Sequence, residues 1–258
     1  MTLLAVPLPP EPGWPPDVMP GDDLGALLIE AWRRAAAANP DLAPRDGDVV
    51  VVTQKVVSKA EGRVVDLTTV TPRAGAAEFA HRWDRDARQV EVVLREAAEV
   101  LRMERGIIIC RTRHGFVCAN AGVDASNVSP DTVTLLPDDP DASARALRQR
   151  VAAAFGVAPA VLVSDSFGRP WRWGIVDVAL GIAGFGPLDD QRGRPDTAGR
   201  PMRSTIVAVA DEICSAAELA SGKTSGKPFV LVRGVDLPPG DGSIMRDVVM
   251  PAESDLFR

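Results

Sequence analysis

A run of four consecutive valines at residues 49–52 is the feature that most constrains the fold of this chain. A strand that is apolar at every position is usually buried on both faces of a sheet, so the run predicts a central strand. Other apolar runs predict further strands at 107–110, 160–163, 176–182 and 229–232, and a short strand within 133–136.

The helical pattern supplies the remaining elements. Apolar residues recur at helical spacing over 24–35, over 76–102 with a break near Asp84, over 142–155 and over 206–219, whereas residues 9–20 predict a stiff, proline-rich loop. Helices and strands alternate only partly, and glycine-rich turns interrupt them. The pattern therefore predicts an α+β fold with mixed sheets and helices rather than a doubly wound parallel sheet.

Composition limits the partners and the compartment. The length of 258 residues predicts a single domain over 1–258, and a net charge of −6 gives no electrostatic footprint for nucleic acid. Three cysteines without a CxxC pair and two histidines argue against a structural zinc site. Because the first 20 residues lack the features of a secretory signal or a membrane span, we expect a cytoplasmic protein without a membrane partner.

A segment rich in small residues surrounds Asp124. Asp124 and Asn127, three residues apart, suit a hard cation and a polar ligand. Gly122 lets a ligand approach the backbone closely. The alternative is a turn held by Asp and Asn side chains, which both favour such turns.

A second polar segment follows the strand predicted at 160–163. Asp165 and Ser166 combine a carboxylate and a hydroxyl, a common magnesium-holding pair beside phosphate. Arg169 and Arg172 could neutralise an anion. The alternative is a capped turn with solvated arginines.

Two basic segments complete the candidate site. Gln54, Lys55 and Lys59 follow the central strand, and the lysines could point at one anion if the segment is helical; the alternative is a solvated strand end. Residues 221–228 could form an anion-binding nest or an ordinary helix-to-strand connection. They are not a P-loop, because Ala217 stands where that motif requires glycine. Together the four segments suit phosphoryl transfer.

Aromatic residues are assigned to packing. We expect a structural role for His114, which has no identifiable acid–base partner. The pair Trp171 and Trp173 could stack on a flat heterocycle, but tryptophans more often serve packing.

The chain resembles the coenzyme F420-0:gamma-glutamyl ligase family at residues 50–62 (VVVTQKVVSKAEG), 119–128 (ANAGVDASNV), 135–141, 164–171, 209–234 and 251–258. The resemblance implies that GTP activates the lactyl carboxylate of F420-0 as an acyl phosphate. The amine of L-glutamate then displaces phosphate, and a second glutamate can follow through a γ-linkage. It also implies the F420-0 ligase-like fold in an intertwined homodimer. Because the chain ends before any nitroreductase-like domain, the second activity of fused relatives is expected to be absent.

The resemblance also implies the site residues. Asp124 and Asp165 would be catalytic and hold one metal, Ser166 would bind a second, and the ions would be Mg²⁺ or Mn²⁺, with a monovalent cation such as K⁺ as a further cofactor. Some relatives have a metal-binding glutamate where this chain has Lys223. The residues expected to contact GTP are Pro15, Pro16, Asp17, Val18, Gln54, Lys55, Lys59, Asn127, Ser221, Gly222, Lys223, Thr224, Ser225, Gly226, Lys227 and Pro228.

Two other functions are open from the residues alone. One is a nucleotide-dependent amide ligase of the same scaffold that acts on a different carboxylate. The other is a non-catalytic deazaflavin- or nucleotide-binding protein. The second is disfavoured, because pure binding rarely needs two metal-holding carboxylates beside a hydroxyl.

Overall fold

The computed structural model describes residues 2–8, 18–126, 128–223 and 226–255. The strands are β1 (Leu4–Leu8), β2 (Val49–Thr53), β3 (Val64–Asp66), β4 (Ala97–Glu104), β5 (Ile107–Thr112), β6 (Val117–Ala119), β7 (Thr132–Thr134), β8 (Ala160–Arg169), β9 (Arg172–Ala183), β10 (Asp189–Asp190), β11 (Ile206–Val207) and β12 (Phe229–Arg233). The α-helices are α1 (Leu24–Ala38), α2 (Gln54–Ala60), α3 (Ala74–Trp83), α4 (Ala87–Glu96), α5 (Pro140–Phe155), α6 (Val209–Ser221) and α7 (Ile244–Asp247). The predicted mixed α+β class is confirmed.

The valine run forms β2 in the middle of a five-stranded sheet of order β1-β12-β2-β8-β9. β2 pairs in parallel with β8 and antiparallel with β12. Val50 and Val52 join the core that α1 and α5 cover, while Val49 and Val51 join the core that α6 covers. Both faces of β2 are therefore buried, as an all-apolar strand requires.

A second group of elements packs beside this sheet. Helices α3 and α4 lie against the three-stranded sheet β4-β5-β6, with Phe79, Val90, Ile108 and Cys110 in their common core. Strands β3 and β7 pair with each other next to a smaller core. The chain segment that contains Asp124 leaves β6 and reaches β7, so these elements position it. No helix in the described ranges has the length and apolar character needed to cross a membrane.

Two of the predicted helices have different limits in the structure. Residues 97–102 belong to β4, because they pair with β5, and pairing with a neighbouring strand overrides a local helical pattern. The break near Asp84 is confirmed: this residue has a left-handed φ of 50° and ends α3. Residues 206–207 pair with β10, so α6 begins only at Val209. Strands β1, β3, β6 and β10 also lie outside the predicted strands.

Strand β8 also extends beyond its predicted end. The prediction ended it at residue 163, but β9 pairs with it as far as Arg169. Strand β2 stops opposite Ser164, so the hairpin of β8 and β9 continues past the end of β2. The polar residues expected in a loop after β8 therefore lie within a strand.

Asp141 joins three elements in the interior. It lies in the first turn of α5 and is 1% exposed. Its Oδ1 accepts hydrogen bonds from the backbone N–H groups of Ile182 (2.9 Å) and Ile244 (3.2 Å), and its Oδ2 accepts one from Ser243 Oγ (2.6 Å). The carboxylate therefore ties α5 to β9 and to α7.

We expect Asp141→Ala to lower the free energy of unfolding by about 2–4 kcal/mol, because two buried backbone donors lose their acceptor. Urea unfolding followed by tryptophan fluorescence measures the change. Gln149→Ala, on the exposed face of the same helix, should stay within about 0.5 kcal/mol of wild type. A loss at Asp141 no larger than that of the control would contradict this account.

Candidate active site

The candidate site lies where β2 and β8 end their parallel pairing. The last pair in this register is Thr53 with Ser164, so the residues that follow each strand emerge side by side. After β2 the chain turns at once into α2, which carries Lys55 and Lys59. Lys55 and Lys59 therefore lie on a helix, which is the condition for both to point at one anion. The alternative, a solvated strand end, is excluded.

Lys55 contacts the segment around Asp124. Its Nζ lies 2.7 Å from Asp124 Oδ2 and donates to the backbone oxygen (2.7 Å) and Oγ (2.5 Å) of Ser126. The N–H of Ser126 donates to Asp124 Oδ1 at 2.7 Å, so the segment is also the Asp-stabilised turn considered as the alternative. Backbone hydrogen bonds between Asp124 and Thr134 hold the segment against β7.

These contacts determine the charge of Asp124. Burial acts to raise the pKa of this carboxyl, but hydrogen bonds from Lys55 and from the N–H of Ser126 outweigh it and hold the pKa below its usual value. Asp124 is therefore an anion at neutral pH and is already paired with one ammonium group.

Asp165 is in a different environment. The pKa of its carboxyl is raised to about 7, chiefly by burial and to a smaller extent by the nearby carboxylates of Asp177 and Asp124. The N–H of Ser166 and the charge of Lys223 act in the opposite direction without offsetting the burial. Lys55 and Lys223 direct their hydrogen bonds at Ser126 and Ser166 rather than at Asp165.

Ser166 links two charged groups across the hairpin. Its Oγ donates to Asp177 Oδ1 at 2.5 Å and accepts a hydrogen bond from Lys223 Nζ. Asp177 Oδ2 accepts a second hydrogen bond from Ser164 Oγ at 3.2 Å, and the residue is only 8% exposed. Lys223 follows α6, so the loop after this helix reaches the middle of β8.

Asp177 belongs to the candidate site, although the sequence pattern did not identify it. It was included in the apolar strand predicted at 176–182, and its register opposite Ser166 was not visible there. A lone carboxylate inside an apolar strand was the available signal, because such a group is rarely buried without a partner.

Other residues expected to contact the nucleotide lie around this cluster. Gln54 is buried, and its Nε2 donates to Ser58 Oγ (2.5 Å) and to the Leu135 oxygen (3.0 Å). Lys59 is buried on the last turn of α2, and Val18 is buried as well. Each of these three assignments as a nucleotide contact stays a prediction.

The loop that connects α6 to β12 lies beside the end of β2. Gly222 ends the helix with a φ of 72°, and its N–H donates to the Glu218 oxygen at 2.8 Å. The Pro228 oxygen accepts the N–H of Thr53 at 2.9 Å. Ser221, Gly226 and Lys227 are described, whereas Pro15, Pro16, Asp17, Asn127, Thr224 and Ser225 lie outside the described residues.

The expectations for the aromatic residues had different outcomes. His114 is buried, and its Nε2 lies 2.9 Å from the Pro137 oxygen, which is a structural contact as expected. Trp171 and Trp173 are 84% and 100% exposed at the tip of the β8–β9 hairpin, so they are not the buried tryptophans that the packing interpretation expected.

The carboxylates are suited to one divalent cation. No group of three His, Cys, Asp or Glu side chains in the described ranges could hold a metal ion by itself. The charge of Asp124 nevertheless raises the pKa of Asp165, and the charge of Lys223 only partly offsets the effect of burial. A divalent ion between these carboxylates, with substrate oxygens completing its shell, would counter both effects.

An α+β scaffold that gathers carboxylates, a hydroxyl and ammonium groups at the ends of parallel strands is typical of enzymes acting on anionic substrates. The profile of the family F420-0:Gamma-glutamyl ligase matches residues 15–234. The chain therefore belongs to the F420-0:gamma-glutamyl ligase family, as the resemblance of its segments indicated.

Similar proteins agree with this assignment. The chain is 42% identical over 248 residues to the Coenzyme F420:L-glutamate ligase of Methanothermobacter thermautotrophicus, which covers 94% of this chain and 95% of that protein. It is 42% identical over 245 residues to the protein of the same name from Methanopyrus kandleri, covering 93% of each. The relative of that name from Archaeoglobus fulgidus is 39% identical over 244 residues, 94% of this chain and 93% of its own.

The raised pKa of Asp165 predicts a pH-dependent stability. Between the usual value of 3.8 and about 7, the folded chain keeps a proton that the unfolded chain has released, so the free energy of unfolding falls as pH rises through this window. Asp165→Asn removes that dependence. Without divalent ions the variant should match wild type at pH about 4 and exceed it at pH about 8 by about 2–4 kcal/mol, at about 1.4 kcal/mol per pKa unit.

Urea unfolding in chelator at both pH values provides the test. The exposed Asp236→Asn controls for the loss of one charge. Equal pH slopes for wild type and Asp165→Asn would show that the buried carboxyl does not titrate in this window.

Proposed function

We propose that this protein is a GTP-dependent ligase that joins L-glutamate to the lactyl carboxylate of coenzyme F420-0, and then adds glutamate to the product through a γ-linkage, in coenzyme F420 biosynthesis. Family membership supports the reaction class, because relatives at 39–42% identity are named Coenzyme F420:L-glutamate ligase. The observation that carries the proposal is the meeting of Asp124 and Asp165 with Lys55 and Lys223 at the ends of two parallel strands.

The reaction explains why such a cluster is needed. A carboxylate is a poor electrophile, so one of its oxygens first attacks the γ-phosphorus of GTP, and GDP leaves. The uncharged amine of glutamate then attacks the carbonyl carbon of the acyl phosphate. The C–O bond to phosphate breaks, phosphate leaves with that bonding pair, and the nitrogen loses a proton as the amide forms. Both steps bring anions together, so positive charge must be fixed in advance.

The residues have distinct roles in this proposal. Asp124 and Asp165 hold Mg²⁺ or Mn²⁺, an ion that offsets phosphate charge when bound. Lys55 keeps the segment of Asp124 in place through its contacts with Ser126 and places an ammonium beside the carboxylates. Lys223 places another beside Ser166. The loop 221–228, Gln54, Lys59 and the segment ending at Val18 contact GTP, and a monovalent cation such as K⁺ assists.

The direct test incubates the protein with F420-0, GTP, L-glutamate and Mn²⁺ and follows the products by mass spectrometry. We expect products carrying one and then two added glutamyl residues, with release of GDP and phosphate. Chelator should stop the reaction, and ATP should replace GTP poorly. Asp124→Asn and Asp165→Asn should each lower the rate at least about a hundredfold, because each removes a ligand that stabilises developing charge.

The outcomes separate the competing functions. Turnover of another carboxylate in preference to F420-0 would favour a different amide ligase on the same scaffold. Tight binding of F420-0 or GTP without any product would favour a non-catalytic binding protein. Circular dichroism of the two variants shows whether a lost rate reflects the site rather than the fold.

We also propose that the protein works as an intertwined homodimer with the F420-0 ligase-like fold. Trp171, Trp173 and Ile175 are 84%, 100% and 55% exposed on the β8–β9 hairpin. Large exposed apolar side chains that lie close together commonly mark a surface that binds another molecule. A second copy of the chain is the occupant that the family resemblance implies.

For the dimer we expect a double variant, Trp173→Ser with Ile175→Ser, to weaken self-association at least about a hundredfold, because buried aromatic anchors commonly contribute about 2 kcal/mol or more each. Sedimentation velocity over a range of concentrations measures this. Trp83→Ser, which removes a tryptophan 36% exposed on α3, should leave association unchanged. Wild-type protein that stays monomeric at high concentration would refute the dimer.

A further inference from the structure

An ammonium group lies where the family resemblance implies a second metal ion. Lys223 Nζ donates a hydrogen bond to Ser166 Oγ, although the two residues are 57 positions apart. Ser166 is the residue expected to bind that second ion. The contact therefore decides whether the Ser166 end of the site is open to a cation or already holds one.

The hydrogen bonds of Ser166 place an ammonium group against the oxygen that would bind a second metal ion. A serine hydroxyl has one proton and two lone pairs. The proton of Ser166 goes to Asp177 Oδ1 at 2.5 Å, and a lone pair accepts from Lys223. A divalent ion ligated by this oxygen would lie against the ammonium group, so like charges would repel at close range. Ser166 can bind such an ion only if Lys223 withdraws.

The carboxylate of Asp177 also depends on the contact between Ser166 and Lys223. It is 8% exposed and accepts hydrogen bonds from two hydroxyls, those of Ser164 and Ser166. A buried carboxylate needs a nearby opposite charge as well as hydrogen bonds. The ammonium of Lys223, one hydroxyl away, supplies that charge.

Within the described ranges, the two lysines of the cluster, Lys55 and Lys223, make their hydrogen bonds and ion pairs with residues other than Asp165. Asp124 is paired with Lys55 at 2.7 Å, and Asp177 is linked to Lys223 through Ser166. Lys223 acts on Asp165 through its charge, and the pKa of Asp165 stays raised in spite of it. A divalent ion bound by Asp165 and Asp124 would therefore meet negative charge that the two lysines do not fully offset.

We propose that this site holds a single divalent cation, at Asp124 and Asp165, and that the Lys223 ammonium supplies at Ser166 the positive charge of a second. This inference rests on the proposed metal- and GTP-dependent function and replaces the expectation of two ions. A covalently fixed ammonium would neutralise phosphate charge at any metal concentration, and it adds a hydrogen-bond donor that a metal ion lacks.

The test counts Mn²⁺ ions in the presence of GDP, by equilibrium dialysis and by electron paramagnetic resonance. Wild type should bind one ion per chain, with the spectrum of an isolated Mn²⁺. Lys223→Glu replaces the ammonium by a carboxylate and frees the hydroxyl, so it should bind two ions, with the exchange-coupled spectrum expected of ions about 3.5–4 Å apart.

Two variants control for charge. Lys223→Arg keeps a cation at this position and should bind one ion. Arg82→Glu makes the same change of charge at an exposed position on α3 and should also bind one. Thermal melts verify that each variant is folded, which is expected because Lys223 lies in an exposed loop.

The other outcomes overturn the inference in distinguishable ways. Two ions on wild type, with glutamate ligation intact, would overturn the inference alone. No ion on wild type would overturn it together with the metal requirement of the proposed function. One ion on folded Lys223→Glu would show that the ammonium does not exclude a second ion, and would overturn it as well.

Discussion

The parallel pairing of β2 with β8 is the constraint on which the rest of this structure depends. The register from Val49 with Ala160 to Thr53 with Ser164 makes both strands point their carboxyl ends at the same edge. Helix α2 must therefore begin beside the polar half of β8, and the loop after α6 reaches the same place because β12 pairs with β2 on its other side. Apolar contacts on both faces of β2 hold this strand in the middle of the sheet.

The site gathers like charges at a cost to stability. Burial disfavours the charged form of Asp165, and the nearby carboxylates of Asp177 and Asp124 disfavour it as well. Lys55 and Lys223 offset part of this repulsion from two different elements. A binding site for a cation must retain some uncompensated negative charge, because a fully neutralised cluster would have no affinity for it. The proposed function therefore requires that the negative charge of Asp165 is not fully offset by the two lysines.

The β8–β9 hairpin carries both a part of the candidate site and an exposed apolar surface. Its inner half carries Asp165, Ser166 and Asp177, and its tip carries the exposed tryptophans. The strands are paired in one register from Ser166 with Asp177 to Gly168 with Ile175, and a register shift then separates this part of the hairpin from the tip.

Local signals in the sequence determined the secondary structure of the core and the segments of the site. The run of four valines predicted β2. The segments around Asp124 and Asp165 were selected as candidate site segments because their carboxylates lie beside small residues and a hydroxyl. The prediction of β2 succeeded because burial periodicity depends on neighbouring residues, whereas the roles of Asp124 and Asp165 stay predictions. The tertiary structure alone decided that residues 97–102 are a strand, that Asp177 faces Ser166 across a hairpin, and that Lys223 reaches Ser166. Each of these depends on pairing partners far along the chain, and only the packing of the folded chain chooses them.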